Sequence, residues 1–314
     1  TRNIDVKNLL DGNAIKGTAF KKSFSNISGS IGLAAQATDK LNFKLNIARG
    51  FRAPSIPELA SNGAHEGTNR YEYGDAGLKS ETSLQFDGGF DYSAEHLSIG
   101  ISSFYNRFSN FIFYSKLEAA GGGDSLVNVN GDIIPAFKFN QRKASLAGFE
   151  AKLDIHPHPL DWLHIENSFS FVSGRFAAVL DGSKNIPFIP APKLVTELRS
   201  NFDHLKGAVH NFYIKLELDN TFTQRNVFTA YDTETKTKGY SLLNLGVGAD
   251  FVNKKEQALF SLSLSALNIT DVAYQNHLSR LKYAAENLAT GRTGVFNMGR
   301  NFSIKLNVPL SFKF

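Results

Sequence analysis

The chain has 314 residues, 12% of them aromatic, with 27 Phe against one Met and one Trp, and a formal net charge of +5. Mean hydropathy is −0.20, and no stretch approaches the run of about 18 apolar residues that a membrane helix needs. The absence of cysteine excludes thiolate metal sites and Cys nucleophiles and suits an oxidising compartment; the mild, scattered positive charge, with no basic block interleaved with aromatics, argues against a nucleic-acid partner.

Residues 1–17 read as a loop-like segment, and no apolar h-region follows Thr1, so the start of an exported protein is expected to lie upstream. Long segments of alternating apolar and polar residues then recur. Strands are predicted at 24–38, 41–51, 79–92, 96–114, 136–156, 162–176, 193–203, 208–222, 239–252, 258–270 and 296–314. Successive strand side chains point to opposite faces, so Leu41, Phe43, Leu45 and Ile47 share one face while Asn42 and Lys44 share the other. The second face goes on to carry Asp87, Asp91, Glu217, Asp219 and Asp250. Buried strands of soluble proteins, typically about 5–6 residues long, seldom carry charges in such series. A polar, water-filled lumen accounts for them directly.

The gaps alternate in size. Short ones fall at 39–40, 93–95, 158–161, 204–207 and 253–257; long ones fall at 52–78, 115–135, 177–192, 223–238 and 271–295. Short periplasmic turns and long extracellular loops are the pattern of a membrane barrel. The fold class expected is therefore all-β, a transmembrane antiparallel β-barrel in the bacterial outer membrane. The strand at 301–314 alternates without a break to Phe314, and it resembles the closing strand of such a barrel, whose terminal aromatic is read by the barrel-assembly machinery. That resemblance places the last strand end in the periplasm and every long gap outside.

About eleven strands is an odd number, whereas bacterial single-chain barrels have even numbers. Residues 1–314 are therefore expected to be the C-terminal part of a larger barrel, unable to close alone. The competing reading is a complete barrel of about ten or twelve strands with one miscounted.

Several motifs bear on identity. Ile47-Ala48-Arg49-Gly50-Phe51-Arg52-Ala53-Pro54-Ser55-Ile56-Pro57-Glu58-Leu59 resembles the signature of TonB-dependent outer-membrane receptors, a strand ending in Gly-Phe-Arg-Ala-Pro before a short Glu-Leu element. Tyr71-Glu72-Tyr73-Gly74-Asp75 through Leu78-Lys79-Ser80-Glu81-Thr82 looks like the family's Gly-Asn-x-x-Leu-Lys-Pro-Glu stretch, with Asp75 and Ser80 departing from its Asn and Pro. Phe104 to Ile112 resembles its Phe-x-Asn-x-x-x-Asn-x-Ile strand, and Asn268-Ile269-Thr270-Asp271-Val272-Ala273-Tyr274 its Asn-Leu-x-Asp-x-x-Tyr segment, with Ile269 for Leu. The set runs in order from about residue 40 to the terminus.

The resemblance implies a barrel of about 22 strands with a globular plug, of which this chain would supply half. Its plug and TonB-contacting box would lie in the missing N-terminal segment. The partners implied are outer-membrane lipid, that segment and, through it, the TonB complex. No resident cofactor is implied; the cargo would be a scarce metal or metal complex, an iron–siderophore, haem or zinc.

Candidate binding residues come from the long gaps. The stretch 62–72 looks similar to receptors for zinc and for iron complexes, and His65 beside Glu66 offers an imidazole and a carboxylate as a metal-ligand pair. The competing reading of His65 is a polar loop residue held by hydrogen bonds. Of the histidines only His65 and His277 fall on the extracellular side; His96, His156, His158, His164, His204 and His210 fall near periplasmic ends. His156 and His158 share one side of a strand end, but His-Pro-His-Pro reads better as a rigid turn. Arg52, Arg70, Tyr71, Tyr73, Tyr274 and Arg280 suit an anionic siderophore through charge-assisted hydrogen bonds and stacking, or serve as girdle anchors at the headgroup level.

An enzyme is not expected. No Ser stands in a Gly-x-Ser-x-Gly context, and Gly121-Gly122-Gly123-Asp124 follows no strand-to-helix pattern that would cradle a phosphate. The alternatives to an active transporter are a passive porin without a plug and, more distantly, a soluble all-β binding protein.

Overall fold

The computed structural model describes the chain except Asn8, Gly12, Asn13, Thr18, residues 66–69, Lys206 and residues 310–314. Eleven strands form one continuous antiparallel sheet: β1 (Gly29–Thr38), β2 (Leu41–Arg52), β3 (Glu81–Ala94), β4 (Leu97–Lys116), β5 (Asp132–Ile155), β6 (Leu163–Leu180), β7 (Lys193–His204), β8 (Val209–Thr221), β9 (Tyr240–Val252), β10 (Ala258–Leu267) and β11 (Asn301–Asn307). Each pairs with its neighbours in chain order, an up-and-down meander. The sheet is open: β1 pairs only with β2 and β11 only with β10 among the described residues.

Alternation fixes the two faces. Ile31, Ile47, Phe86 and Tyr105 stand opposite one another on a single rung across four strands, and all are exposed. On β11 the same face bears Phe302, Ile304 and Leu306, each at least 60% exposed. A continuous, exposed apolar face of this kind matches the outward apolar band of transmembrane β-barrels. Among the described residues no helix is long and apolar enough to cross a membrane.

The opposite face is a polar ladder. Lys44 Nζ lies 2.7 Å from Asp91, Asn46 donates to Asp87 at 2.9 Å, and Asn106 donates to Gln85 at 3.0 Å. Farther round, Lys215 pairs with Glu197 at 2.9 Å, Asn244 donates to Glu217 at 2.8 Å, and Lys193 meets Asp219 at 2.8 Å. Lys44, Asp87, Asp91, Glu217 and Asp219 are among the lumen-face residues expected from the charge pattern, and each meets a cross-strand partner, although one Asp219 oxygen stays buried without a hydrogen bond.

The hydrophobic core does not lie inside the sheet. One buried cluster (Phe113, Ala144, Phe176, Ile186, Ile189, Phe228 and Ala230) and a second (Ile4, Val6, Phe24, Ala53, Leu59, Leu78 and Ile112) both pack among the long loops and the strand ends that reach them. β4 and β5 run 20 and 24 residues, far beyond the roughly 9–11 residues that cross a bilayer at a tilt. Their outer halves are the scaffold on which the loops fold.

Three expectations need correction. Residues 24–38 are not one strand: Arg2–Val6 pairs with Phe20–Phe24 as a separate two-stranded sheet, and β1 begins at Gly29. Alternating Ile4, Val6 and Phe24 had a loop core to bury into, which a reading of the segment as loop overlooked. The long gaps also carry short strands, including a hairpin of Asn62–His65 with Arg70–Tyr73. Finally, the last strand was expected at 296–314, but β11 pairs over Asn301–Asn307, and Phe314 lies outside the described residues.

Candidate functional site

The long-loop side is organised by the segment that follows β2. Ser55 caps the short helix α1 (Ile56–Ala60) in a capping box, with Glu58 accepting from the Ser55 backbone N–H at 2.6 Å. Arg52 grips the same Glu58 carboxylate through both oxygens at 2.8 Å and reaches Glu81 at 3.4 Å. Gly74 closes the unit by donating to the Ser61 carbonyl at 2.7 Å. A Cβ at that position would fall 2.5 Å from the backbone nitrogen of Ala60, so only glycine fits. Arg52 is thus held inside an ion-paired joint.

The hairpin of Asn62–His65 with Arg70–Tyr73 lies against the outer half of β5, Arg70–Tyr73 running parallel to residues 136–138. Alternation turns Arg70 and Glu72 inward, where both are buried, and sets the rings of Tyr71 and Tyr73 side by side at 4.9 Å. Arg70 Nε donates to Glu72 at 2.6 Å and Nη1 donates to the Tyr114 hydroxyl at 2.9 Å, with the guanidinium stacked 4.1 Å above the Tyr114 ring. Arg280, from a 3₁₀ turn at Arg280–Tyr283, donates to the same hydroxyl at 2.7 Å and lies over the Phe188 ring. One phenolic oxygen accepts from both guanidiniums.

A cavity of about 250 Å³ opens beside this junction, lined by Arg70, Tyr114, Lys116 and Arg280 together with the carboxylates of Asp124 and Asp232. Lys116 is tied to Asp124 at 2.9 Å and Arg70 to Glu72. Arg280 has no carboxylate within salt-bridge distance among the described residues, and burial, with Arg70 adding to it, holds its pKa below the usual range. A guanidinium remains charged at neutral pH regardless. The cavity therefore presents one cation not neutralised by a direct ion pair, flanked by aromatic faces. Its volume falls below the roughly 300–1,000 Å³ of whole-ligand pockets, which suits one ring-sized anionic arm of a larger molecule.

A second, more open cavity of about 530 Å³ is lined by Lys236, Lys238, Tyr240, Tyr274, Lys282 and Phe296. The Tyr274 ring packs against Tyr240 in a tilted arrangement with centroids 4.4 Å apart, and burial raises its phenol pKa. Beneath it His277 is 4% exposed. Lys282 Nζ donates to Thr237 Oγ1 at 2.8 Å and to His277 Nδ1 at 3.2 Å, while Thr237 and His277 Nδ1 lie 2.8 Å apart. These contacts assign Nδ1 as acceptor and leave the proton on Nε2, which faces Glu234 at 3.6 Å. Burial, then the charges of Lys282 and Arg280, lowers the His277 pKa to about 4. Burial raises that of Glu234, although the backbone N–H groups of Phe228 and Phe188 donate to its carboxylate at 3.0 and 2.9 Å.

Of the residues singled out in the sequence, Arg70 and Arg280 converge on one cavity and Tyr274 lines the other. Tyr71 and Tyr73 sit on the hairpin behind the first cavity, with the Tyr71 hydroxyl donating to Asn62 at 2.9 Å. His65 is exposed and stands opposite Arg70 in the hairpin register; Glu66, its expected companion, lies outside the described residues. His277 is buried, its ring engaged by Thr237 and Lys282. Tyr114, Lys116, Glu72 and Lys282 were not singled out. The signal for Tyr114 was the excess length of its strand, whose outer half has to pack against loops. His156 and His158, read as sharing one side, separate instead: His156 packs on His164 at 4.2 Å and His158 on His96 at 5.4 Å.

Residues 2–269 match the family model described as TonB dependent receptor-like, beta-barrel. Over 162 residues the chain is 30% identical to the ferric enterobactin receptor of Pseudomonas aeruginosa, an alignment covering 47% of this chain and 20% of that protein. Among solved structures it resembles the copper transporter OprC, with a TM-score of 0.67 and 17% identity over 90% of this chain and 39% of the other. The ferric yersiniabactin uptake receptor FyuA of Yersinia pestis gives a TM-score of 0.57 and 15% identity over 94% and 40%. The chain thus spans about two fifths of the structures it resembles and a fifth of the curated relative.

Proposed function

Because this chain belongs to the TonB-dependent receptor family, as part of its β-barrel, we propose that it serves an outer-membrane transporter that takes an anionic metal chelate from outside the cell into the periplasm. The observation that carries this reading is the junction of Arg70 and Arg280 on Tyr114, an aromatic-walled recess on the long-loop side in which the Arg280 guanidinium has no direct ion pair. Charge-assisted donors and ring faces suit the flat, anionic arms of a ferric catecholate or phenolate chelate. The open edges of β1 and β11 and the two-fifths coverage support a larger barrel, which other parts of the same protein complete. Transport through it draws on the TonB complex, which acts on a plug segment, and the polar ladder of the lumen face meets that plug or the passing solute.

The test is uptake of radiolabelled ferric enterobactin by cells expressing the full-length protein. Uptake that requires TonB, and that falls in Arg280→Ala with the barrel still folded, supports the reading. Uptake that persists without TonB marks a passive porin, and wild-type uptake by Arg280→Ala removes the recess from the mechanism.

A further inference from the structure

The short-turn side holds a histidine cluster that chelate binding does not use. Ile155 pairs across with Leu97 on one side and Ile165 on the other, so His156, the next residue, stands between His96 and His164 on a single rung. The His156 N–H donates to the His96 carbonyl at 2.9 Å, which fixes that rung at the end of the sheet. Asp154 lies two residues earlier on the same face. Its Oδ2 is 2.6 Å from His156 Nε2 and 3.8 Å from His164 Nδ1, and the three donor atoms lie within 4.8 Å of one another. The other carboxylate oxygen, Asp154 Oδ1, is buried without a hydrogen-bond partner.

The geometry points to a binding site for a divalent transition metal of the zinc class, held by Asp154 Oδ2, His156 Nε2 and His164 Nδ1 with solvent completing the coordination. Tetrahedral ligands about 2.0–2.1 Å from the ion stand about 3.3 Å apart. The separations of 2.6 and 3.8 Å bracket that value and the third lies within 4.8 Å, so side-chain rotations bring the three donors onto one ion. Two imidazole nitrogens in a set of three donors favour zinc or copper and disfavour calcium or magnesium, which demand oxygen. Rigidity separates this site from its neighbour. Asp154 and His164 belong to paired strands, whereas His158 and Asp161, which meet at 3.6 Å, are both well exposed in the connecting turn. A bound ion would tie β5 to β6 at the mouth from which cargo leaves.

The experiment is calorimetric titration of Zn²⁺ into the full-length receptor, purified in detergent and stripped with chelator. The retarded migration of an unheated sample on a denaturing gel reports that each variant's barrel is folded. One stoichiometric Zn²⁺ is expected, weakened by more than about tenfold in His164→Ala and in Asp154→Asn, because removing a ligand costs at least as much as removing its outer support. It should be retained in His158→Ala and in His65→Ala. A visible spectrum of tetrahedral Co²⁺ should appear in wild type and be lost in His164→Ala. The assignment is overturned if wild type binds no stoichiometric Zn²⁺, if the folded variants bind as tightly as wild type, or if His158→Ala loses the ion equally.

Discussion

Lowering the pH from 7.5 to 5 should loosen the loop layer around His277 by a predictable amount. The imidazole is 4% exposed, and its pKa in the folded protein is about 4 instead of 6.5. A histidine whose folded pKa is depressed stabilises fully above the unfolded value, and that contribution is lost as pH falls through the window from 6.5 toward 4. At pH 5 the unfolded or opened segment takes up a proton that the folded one refuses. The linkage relation then gives a loss of about 2 kcal/mol, roughly thirtyfold in the opening equilibrium. The surrounding groups set the control. Arg280 remains charged throughout, while Glu234, with its raised pKa, contributes in the opposite sense because its folded form binds the proton more readily. His277→Gln can still accept from Thr237 and Lys282 but does not titrate, so the difference between it and wild type isolates the histidine. The assay is amide hydrogen exchange of residues 274–283 and 233–238, corrected for the intrinsic pH dependence of exchange. Protection should fall with pH in wild type relative to the variant. Parallel curves for the two proteins would refute the reasoning.

Other perturbations test other parts of the layer. Phe228 is 0% exposed and packs on Phe113 and Phe176 at ring separations of 6.0 and 5.8 Å. Phe228→Ala should therefore cost about 3–5 kcal/mol of local stability, read as lost exchange protection at 183–189 and 227–234 with the barrel strands unchanged. Arg70→Ala leaves Glu72 buried without its partner and should weaken the hairpin by about 3–5 kcal/mol, whereas the double variant with Glu72→Ala should recover much of that; equal protection in the single and double variants would show the pair is not coupled. Gly74→Ala forces a Cβ onto the backbone of Ala60 and Ser61, an overpacking cost of about 1–3 kcal/mol, measurable as raised protease sensitivity near residue 60 in the folded receptor. Arg52→Lys should not restore what Arg52→Ala loses, because only the guanidinium fork reaches Glu58 and Glu81 together; thermal unfolding of the loop layer compares them.

The strand meander was legible because a barrel strand has two solvents, and each writes its own period-two code. Leu41–Arg52 and Lys193–His204 begin at the predicted residues and end within one of the predicted ends. The long loops were less legible. Their side chains bury against segments far away in the chain, so no local period reports them. Phe228 meets Phe113 across more than a hundred residues, and Arg2–Val6 reads as a strand only once Phe20–Phe24 lies beside it.

The same division applies to the sites. Composition, alternation and the ordered motifs determined the fold class and the sidedness of the sheet, because faces and turns are properties of consecutive residues. Arg70 and Arg280 stood out singly as basic loop residues. That both donate to Tyr114 was decided by tertiary structure alone, since the three come from a hairpin, a strand end and a 3₁₀ turn. His156 and His158 illustrate the reverse. They stand two residues apart, yet the register of β5 with β6 brings His156 to His164 beside Asp154, while His158, in the turn beyond the strand, meets His96 and Asp161. Adjacency along a chain fixes direction, but only strand register fixes which donors meet.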